Sequence, residues 1–230
     1  MDTDHFDLTD DGHVQDPERA IDDLIDALFD HVAATMREHG LPGELLTAMR
    51  TRHAELVAAN AAMAVDEPSR HNLRLTLAVV AAHEPLLPRL GRDAAFEAVR
   101  AALVEPLGHV VREGTLAMLD AAPDPFSAMV EVCKAQEEQA YGRTFTFERP
   151  VDDDREYLLE IHRCFYHDVL AANSATELTP ALCAFDANWI EAIDPDRHGF
   201  RFERPTTIGL GGASCPFHFT RTRPRESGDG

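Results

Sequence analysis

Cysteine is scarce in this sequence, four in 230 residues, and basic residues are scarce as well, 21 Lys and Arg against 41 Asp and Glu. The formal charge of −20 repels nucleic acid and anionic lipid surfaces and favours solubility, so neither is expected as a partner. No apolar run reaches the roughly 18 residues that a membrane span needs. The opening stretch MDTDHFDLTDDGH has neither the basic nor the apolar region of a secretory signal, and the expected location is cytoplasmic. In that reducing compartment Cys133, Cys164, Cys183 and Cys215 are expected to be thiols. A chain of this length buries enough apolar surface to fold without a disulfide or metal staple, so stability does not account for them. Missing too are C-x-x-C, H-E-x-x-H, a P-loop, a dinucleotide fingerprint and a G-x-S-x-G elbow. No cofactor is therefore expected. Zinc, drawing on His162 or His167 beside Cys164, is the one exception left open.

The patterning divides the chain into an acidic arm (1–15), a helical region (16–140), an α+β region (141–222) and a polar tail (223–230). Asp16-Pro17 is a capped helix start, Ile21 to Met36 follow at three-and-four spacing, and Gly40 is the stop. Further helices are predicted from about Gly43 to Met63, from Pro68 to Leu86 (ending near Pro85 and Pro88), from Asp93 past Pro106 with a kink, and from Phe126 to Ala140. Beyond Tyr141 the period changes. Thr144 to Arg149 alternates as a half-buried strand, Tyr157 to Arg163 fits strand or helix, and Phe165 to Ala172 and Leu178 to Ile193 read as helices. Phe200 to Glu203, Thr206 to Leu210 and Cys215 to Arg221 are strand candidates. The expected fold is α+β, an N-terminal helical bundle packed on a small, mainly antiparallel sheet with two further helices.

Free cysteines more often pack than react, and Cys133 is read that way. The other three sit in distinctive places: Cys164 after His162-Arg163, Cys183 three residues before Asp186, and Cys215 after Gly211-Gly212. In Cys183-Ala-Phe-Asp186 helical spacing puts thiol and carboxylate on one face, where the carboxylate can orient the thiol or take its proton. In a strand His218 points away from Phe217 and Phe219, whereas Cys215 shares their face. The glycines of Gly209-Leu210-Gly211-Gly212 suit a hairpin turn or bulge.

These motifs resemble those of the L-2-amino-thiazoline-4-carboxylic acid hydrolase family. Its final motif, approximately R-T-Q-T-I-M-x-G-A-S-x-C-D-F-R-F, meets Arg204, Thr207, Ile208, Gly211, Cys215, Phe217 and Phe219 in register; Arg163-Cys164-Phe165-Tyr166 resembles its R-C-x-Y, and Glu177-Leu178 with Cys183 and Asp186 its E-L and C-x-x-D. The ordered match spans about residues 145–220. The resemblance implies a hydrolase acting on a carbon–nitrogen bond of a cyclic amidine, as in opening 2-amino-thiazoline-4-carboxylate to N-carbamoyl-cysteine. On that reading Cys164, Cys183, Asp186 and Cys215 are catalytic, a thiolate attacks the C=N carbon, and Asp186 is a base or holds the amidinium. Tyr166, Gly211, Gly212 and His218 are the expected substrate-side residues. The family's C-D-F-R-F stands here as Cys215-Pro216-Phe217-His218-Phe219. If the absent arginine grips a substrate carboxylate elsewhere in the family, this chain recognises another small molecule, for instance in specialised metabolism. A cyclase, a lyase, a thiol-based metal or small-molecule binding protein, a helical interaction module and a homo-oligomer all stay open. The C-x-x-D pair also resembles organomercurial lyases, although the spacing to the second cysteine does not fit.

Overall fold

The structure, a computed structural model, describes residues 16–222; the expected acidic arm and residues 223–230 of the tail lie outside the described residues. α1 (Pro17–Glu38) opens as predicted, with Asp16 accepting from the Arg19 amide at 3.0 Å, and buries Ile25, Leu28, Phe29, Val32 and Met36. α2 (Glu44–Asn60) buries only Leu45, Met49 and Leu56.

The hub is α3 (Glu67–Leu90), started by a reciprocal Asp66–Ser69 capping box and buried around most of its circumference from Leu73 to Ala82. A helix apolar on all sides must be surrounded. Here α1, α2, α4 (Arg92–Ala121) and α6 (Phe165–Ala172) surround it. Pro85 and Pro88 do not end α3 as the sequence suggested; Leu86 between them is fully buried, and Gly91 at φ +81° supplies the stop. α4 runs on past Pro106 to Ala121.

α5 (Pro125–Gln136) was expected to continue as ordinary helix to Ala140, but it widens into a π-helical turn over Glu137–Tyr141. There the buried Glu137 carboxylate accepts from the Tyr157 hydroxyl at 2.8 Å and pairs with Arg149. Gly142, at φ +69°, then lays the chain against the start of α3, where a Cβ would stand 2.9 Å from the Asp66 carboxylate.

β1 (Thr146–Asp152), β2 (Glu156–Arg163), β3 (Phe200–Glu203) and β4 (Cys215–Arg221) form one antiparallel sheet in the order β1-β2-β4-β3. Pro150 is accommodated because β1 is an edge strand whose register breaks between Glu148 and Val151. Along β4 the alternation holds, with Cys215, Phe217 and Phe219 buried.

Two further expectations fail locally. Leu178 to Ile193 is not one helix but α7 (Thr179–Ala184) and α8 (Ala187–Ile190), preceded by a 3₁₀ turn at Thr176–Leu178. Thr206 to Leu210 is not a strand. Thr207 accepts from the Leu210 amide at 3.2 Å, and this local side-chain bond favours a 3₁₀ turn at Ile208–Leu210, ended by Gly211 at φ +86°. α9 (Pro195–His198) leads into β3. The fold is α+β, as the patterning predicted.

The end of β4 is tied to the helices by Arg221, which reaches Asp124 through Nη1 at 2.8 Å and Nη2 at 2.6 Å, with its guanidinium 4.3 Å over Phe126. Asp124 also caps α5 through the Ser127 amide, at 3.3 Å. The Arg221 bond, the largest influence, brings the Asp124 carboxyl down to about 2. A depressed carboxyl stabilises the fold fully above the usual carboxylate range and loses that contribution as pH falls through about 2. Replacing Asp124 with Ala is expected to cost about 3 kcal/mol in denaturant unfolding at pH 7, because it strands a largely buried guanidinium, and much less at pH 2.

Candidate functional site

The 3₁₀ turn at Ile208–Leu210 seats two of the three sulfurs that the motifs singled out. The Ile208 amide donates to Cys215 Sγ at 3.1 Å. The next residue, Gly209, lies against Cys183: a Cβ there would come within 3.0 Å of Cys183 Sγ and 2.9 Å of the Thr179 methyl. Gly209 is thus the glycine that chemistry requires at the thiol. Gly211 is exposed and shapes the turn, and Gly212 packs against Thr206.

Arg204, between β3 and this turn, organises the other side. Its Nη1 pairs with Asp186 Oδ2, its Nη2 donates to the Cys183 carbonyl at 3.1 Å, and its guanidinium lies 5.3 Å from the Phe217 ring centre. Asp186 Oδ1 accepts from Trp189 Nε1 at 3.2 Å. Both ion-pair side chains are largely buried, at 15% exposure for Arg204 and 21% for Asp186. Burial pushes the Asp186 carboxyl up from its ordinary value, and Arg204 and Trp189 oppose that rise.

Cys164, the N-cap of α6, lies near enough for the charges of Cys183 and Cys215 to act on it. Burial pushes its thiol up to about 12, with the His167 and Tyr166 amides opposing. Cys183 is also raised by burial, but the Thr207 hydroxyl, Arg204 and the Gly209 amide all work to hold it down. Cys215 is raised by burial against the Ile208 amide and Arg204. Cys164, Cys183 and Asp186 keep partial solvent access, whereas Cys215 is buried. The remote motifs therefore converge on one cluster.

Sequence reasoning missed part of it. Cys133 is not part of what was missed: it packs against the core, as expected, with its thiol raised to about 12, first by burial and then by Glu137 and Asp186. Tyr141, at the end of the π turn, is raised by burial and then by Asp186, Tyr166, Cys133 and Cys164. Tyr166, the expected substrate-side residue, borders the cluster, raised by burial, Cys164 and Asp186, and its hydroxyl donates to Asn72 of α3 at 3.0 Å. Arg204 alone had a sequence signal, as the first residue of the C-terminal motif.

His218 does not join. It lies on the opposite face of β4 from Cys215, with Nε2 3.4 Å from Glu156, so strand alternation keeps it apart from the sulfurs. His162 faces Glu148 at 3.2 Å, and His167 Nδ1 bonds Thr179 Oγ1 at 3.0 Å. Among the described residues no three His, Cys, Asp or Glu side chains are grouped to hold a metal ion. An open cleft of about 330 Å³ near His83 shares no lining residue with the cluster.

Raised thiols make an alkaline prediction. The folded forms of Cys133 and Cys164 lose their protons near 12, the unfolded forms near 9. Their contribution is therefore complete below pH about 9 and is lost as pH rises towards 12. Thermal melting under reducing conditions should fall steadily between pH 8.5 and 11, and Cys164→Ala should flatten that fall.

No curated protein and no solved structure matches the chain. The model of the L-2-amino-thiazoline-4-carboxylic acid hydrolase family matches residues 71–219, which takes in most of α3, all of α4 and α5, and the sheet with its thiol cluster. With well over half of its length inside that match, the chain belongs to the L-2-amino-thiazoline-4-carboxylic acid hydrolase family.

Proposed function

We propose that this protein is a hydrolase that opens a small cyclic amidine or related nitrogen heterocycle, with Cys183 as nucleophile and Asp186 as the partner of the amidinium. The observation that carries this reading is the shared grip of Arg204 on the Asp186 carboxylate and the Cys183 carbonyl, opposite a turn that favours charge on Cys183. Trp189 and Arg204 each take one bond to a different Asp186 oxygen. A carboxylate oxygen accepts more than one hydrogen bond, so two N–H groups of an amidinium have acceptors left.

Buried thiols hold their protons at neutral pH, so the thiolate must form on binding. A basic amidine nitrogen takes the Cys183 proton, and the resulting cation rests against Asp186. Sγ then bonds to the amidine carbon and the ring opens. In a ring closed through nitrogen the bond released is C–N; in a thiazoline the same addition releases ring C–S. The departing heteroatom takes back the proton that the amidine nitrogen drew from Cys183, leaving a neutral thioimidate on Sγ, while the Cys164 thiol beside it stays protonated. Water then adds to the same carbon, the C–S bond to Cys183 breaks, and Sγ regains a proton as the product carbonyl forms. Tyr166 walls the cluster; Cys215, buried and bonded to the Ile208 amide, fixes the turn that holds both sulfurs.

The test is steady-state kinetics under reducing conditions with 2-amino-thiazoline-4-carboxylate and with cyclic amidines that lack the carboxylate. Cys183→Ala and Asp186→Asn are expected to lower kcat/KM by about 10²–10⁴ while circular dichroism stays native. Acid quench during turnover should trap substrate mass on the peptide carrying Cys183. Undiminished turnover by Cys183→Ala sinks the nucleophile assignment. Arg204 lowers the Asp186 carboxyl, so Arg204→Gln is expected to move the acidic limb of the pH–rate profile to higher pH.

A further inference from the structure

His83 of α3 is 95% buried by its 5% exposure, yet among the described residues its ring makes no hydrogen bond or ion pair. It is absent from the atoms that are sealed without a partner, so its unbonded ring nitrogens keep access to the space it lines. That space is the cleft of about 330 Å³ at the elbow between α3 and α4, walled also by Leu87, Arg92, Asp93, Phe96, Glu97 and Glu177. Arg92, Asp93 and Glu177 are exposed there and make no ion pair within the described residues, although ion pairs are frequent elsewhere on this surface and Glu97, in the same wall, pairs with Arg100 at 2.7 Å. Glu177 is also the one acidic residue of the family-like motifs that the thiol cluster does not use.

A cleft of this volume suits a ligand of amino-acid size. Its chemistry is two-signed. Glu177 and Asp93 offer carboxylates, Arg92 a guanidinium fork, the His83 imidazole a neutral acceptor, and Phe96 and Leu87 an apolar wall. Burial is the largest influence on His83 and favours its uncharged form. An amine alone would leave the Arg92 fork unused, and a carboxylate alone would meet the unpaired like charges of Asp93 and Glu177 and a third from Glu97, which Arg100 answers. We propose that this cleft is a second ligand site, separate from the thiol cluster, that binds a free α-amino acid with an apolar side chain. Its ammonium meets Glu177 and His83, its carboxylate meets Arg92, and its side chain packs on Phe96 and Leu87.

Calorimetric titration of the full chain with L-leucine, isopentylamine and 4-methylpentanoate tests this. Leucine is expected to bind at least about tenfold more tightly than either single-charge probe. Arg92→Gln should weaken leucine about tenfold and leave isopentylamine unchanged, and Glu177→Gln should weaken leucine and isopentylamine alike. Both side chains are exposed, so these variants fold even if a His83 variant does not. Cys183→Ser should leave leucine binding intact, which separates this site from the catalytic proposal. The inference is overturned if leucine gives no saturable heat at 10 mM, if both surface variants bind it as wild type does, or if Cys183→Ser abolishes it.

Discussion

A carboxylate withdrawn from water must be met by a cation and by hydrogen bonds, or it gives up its charge. Asp186 is met by Arg204 and Trp189, and the rest of the cluster is arranged around that need. One guanidinium touches three separate pieces of chain: the Cys183 carbonyl near the end of α7, the carboxylate at the start of α8, and the Phe217 ring on β4. The planar fork of arginine permits this, where a lysine would offer a single point of charge. Once Arg204 is placed, the chain immediately after it has to turn at Thr207 to Gly211, and that turn delivers its amides to the two sulfurs.

The helical half supports the cluster from below. Asn72 of α3 holds the Tyr166 hydroxyl with its oxygen and the Ala140 carbonyl with its amide, at 3.0 and 2.8 Å, joining α6 and the π turn to the hub helix. Gly142 then fits against the Asp66 cap of the same helix, and Tyr141 packs its ring 4.9 Å from that of Phe145 at a tilt of 57°. The aromatic wall therefore cannot move independently of α3. That the family match begins at residue 71 is consistent with this dependence, since the segment from α3 to α5 places the floor of the site.

Much of this was legible in the sequence, and the failures have physical causes. Helical spacing and the Asp16-Pro17 start are local signals, and α1 follows them; the alternation of Cys215, Phe217 and Phe219 is equally local, and β4 follows it. Cys183 and Asp186 are three residues apart, so one turn brings them together whatever the fold. Arg204 is eighteen residues from Asp186, and no periodicity reports a partnership at that range. Thr206 to Leu210 has strand-like composition, but the Thr207 hydroxyl offers the backbone a nearer acceptor than any neighbouring strand. The π turn adds a residue to a helix whose pattern stays helical, so the place of Tyr141 beside the cluster was invisible. Prolines at 85 and 88 signalled an end that the burial of Leu86 overrides.

A buried thiol cluster and a buried ion pair make different demands on a ligand. The resting thiols are neutral because burial disfavours their anions, and the Asp186–Arg204 pair is internally balanced. Such a site attracts neither anions nor cations strongly. What it lacks is a proton acceptor strong enough to draw a proton from Cys183, since Asp186 is occupied by its two donors. On the proposed function, a basic heterocycle would bring that acceptor with it, and on accepting the proton would become the cation that Asp186 can hold. Weakly basic rings of the same shape would enter and leave unchanged. Burial, which on its face makes the cysteines inert, is on this account the means by which the site selects for basicity.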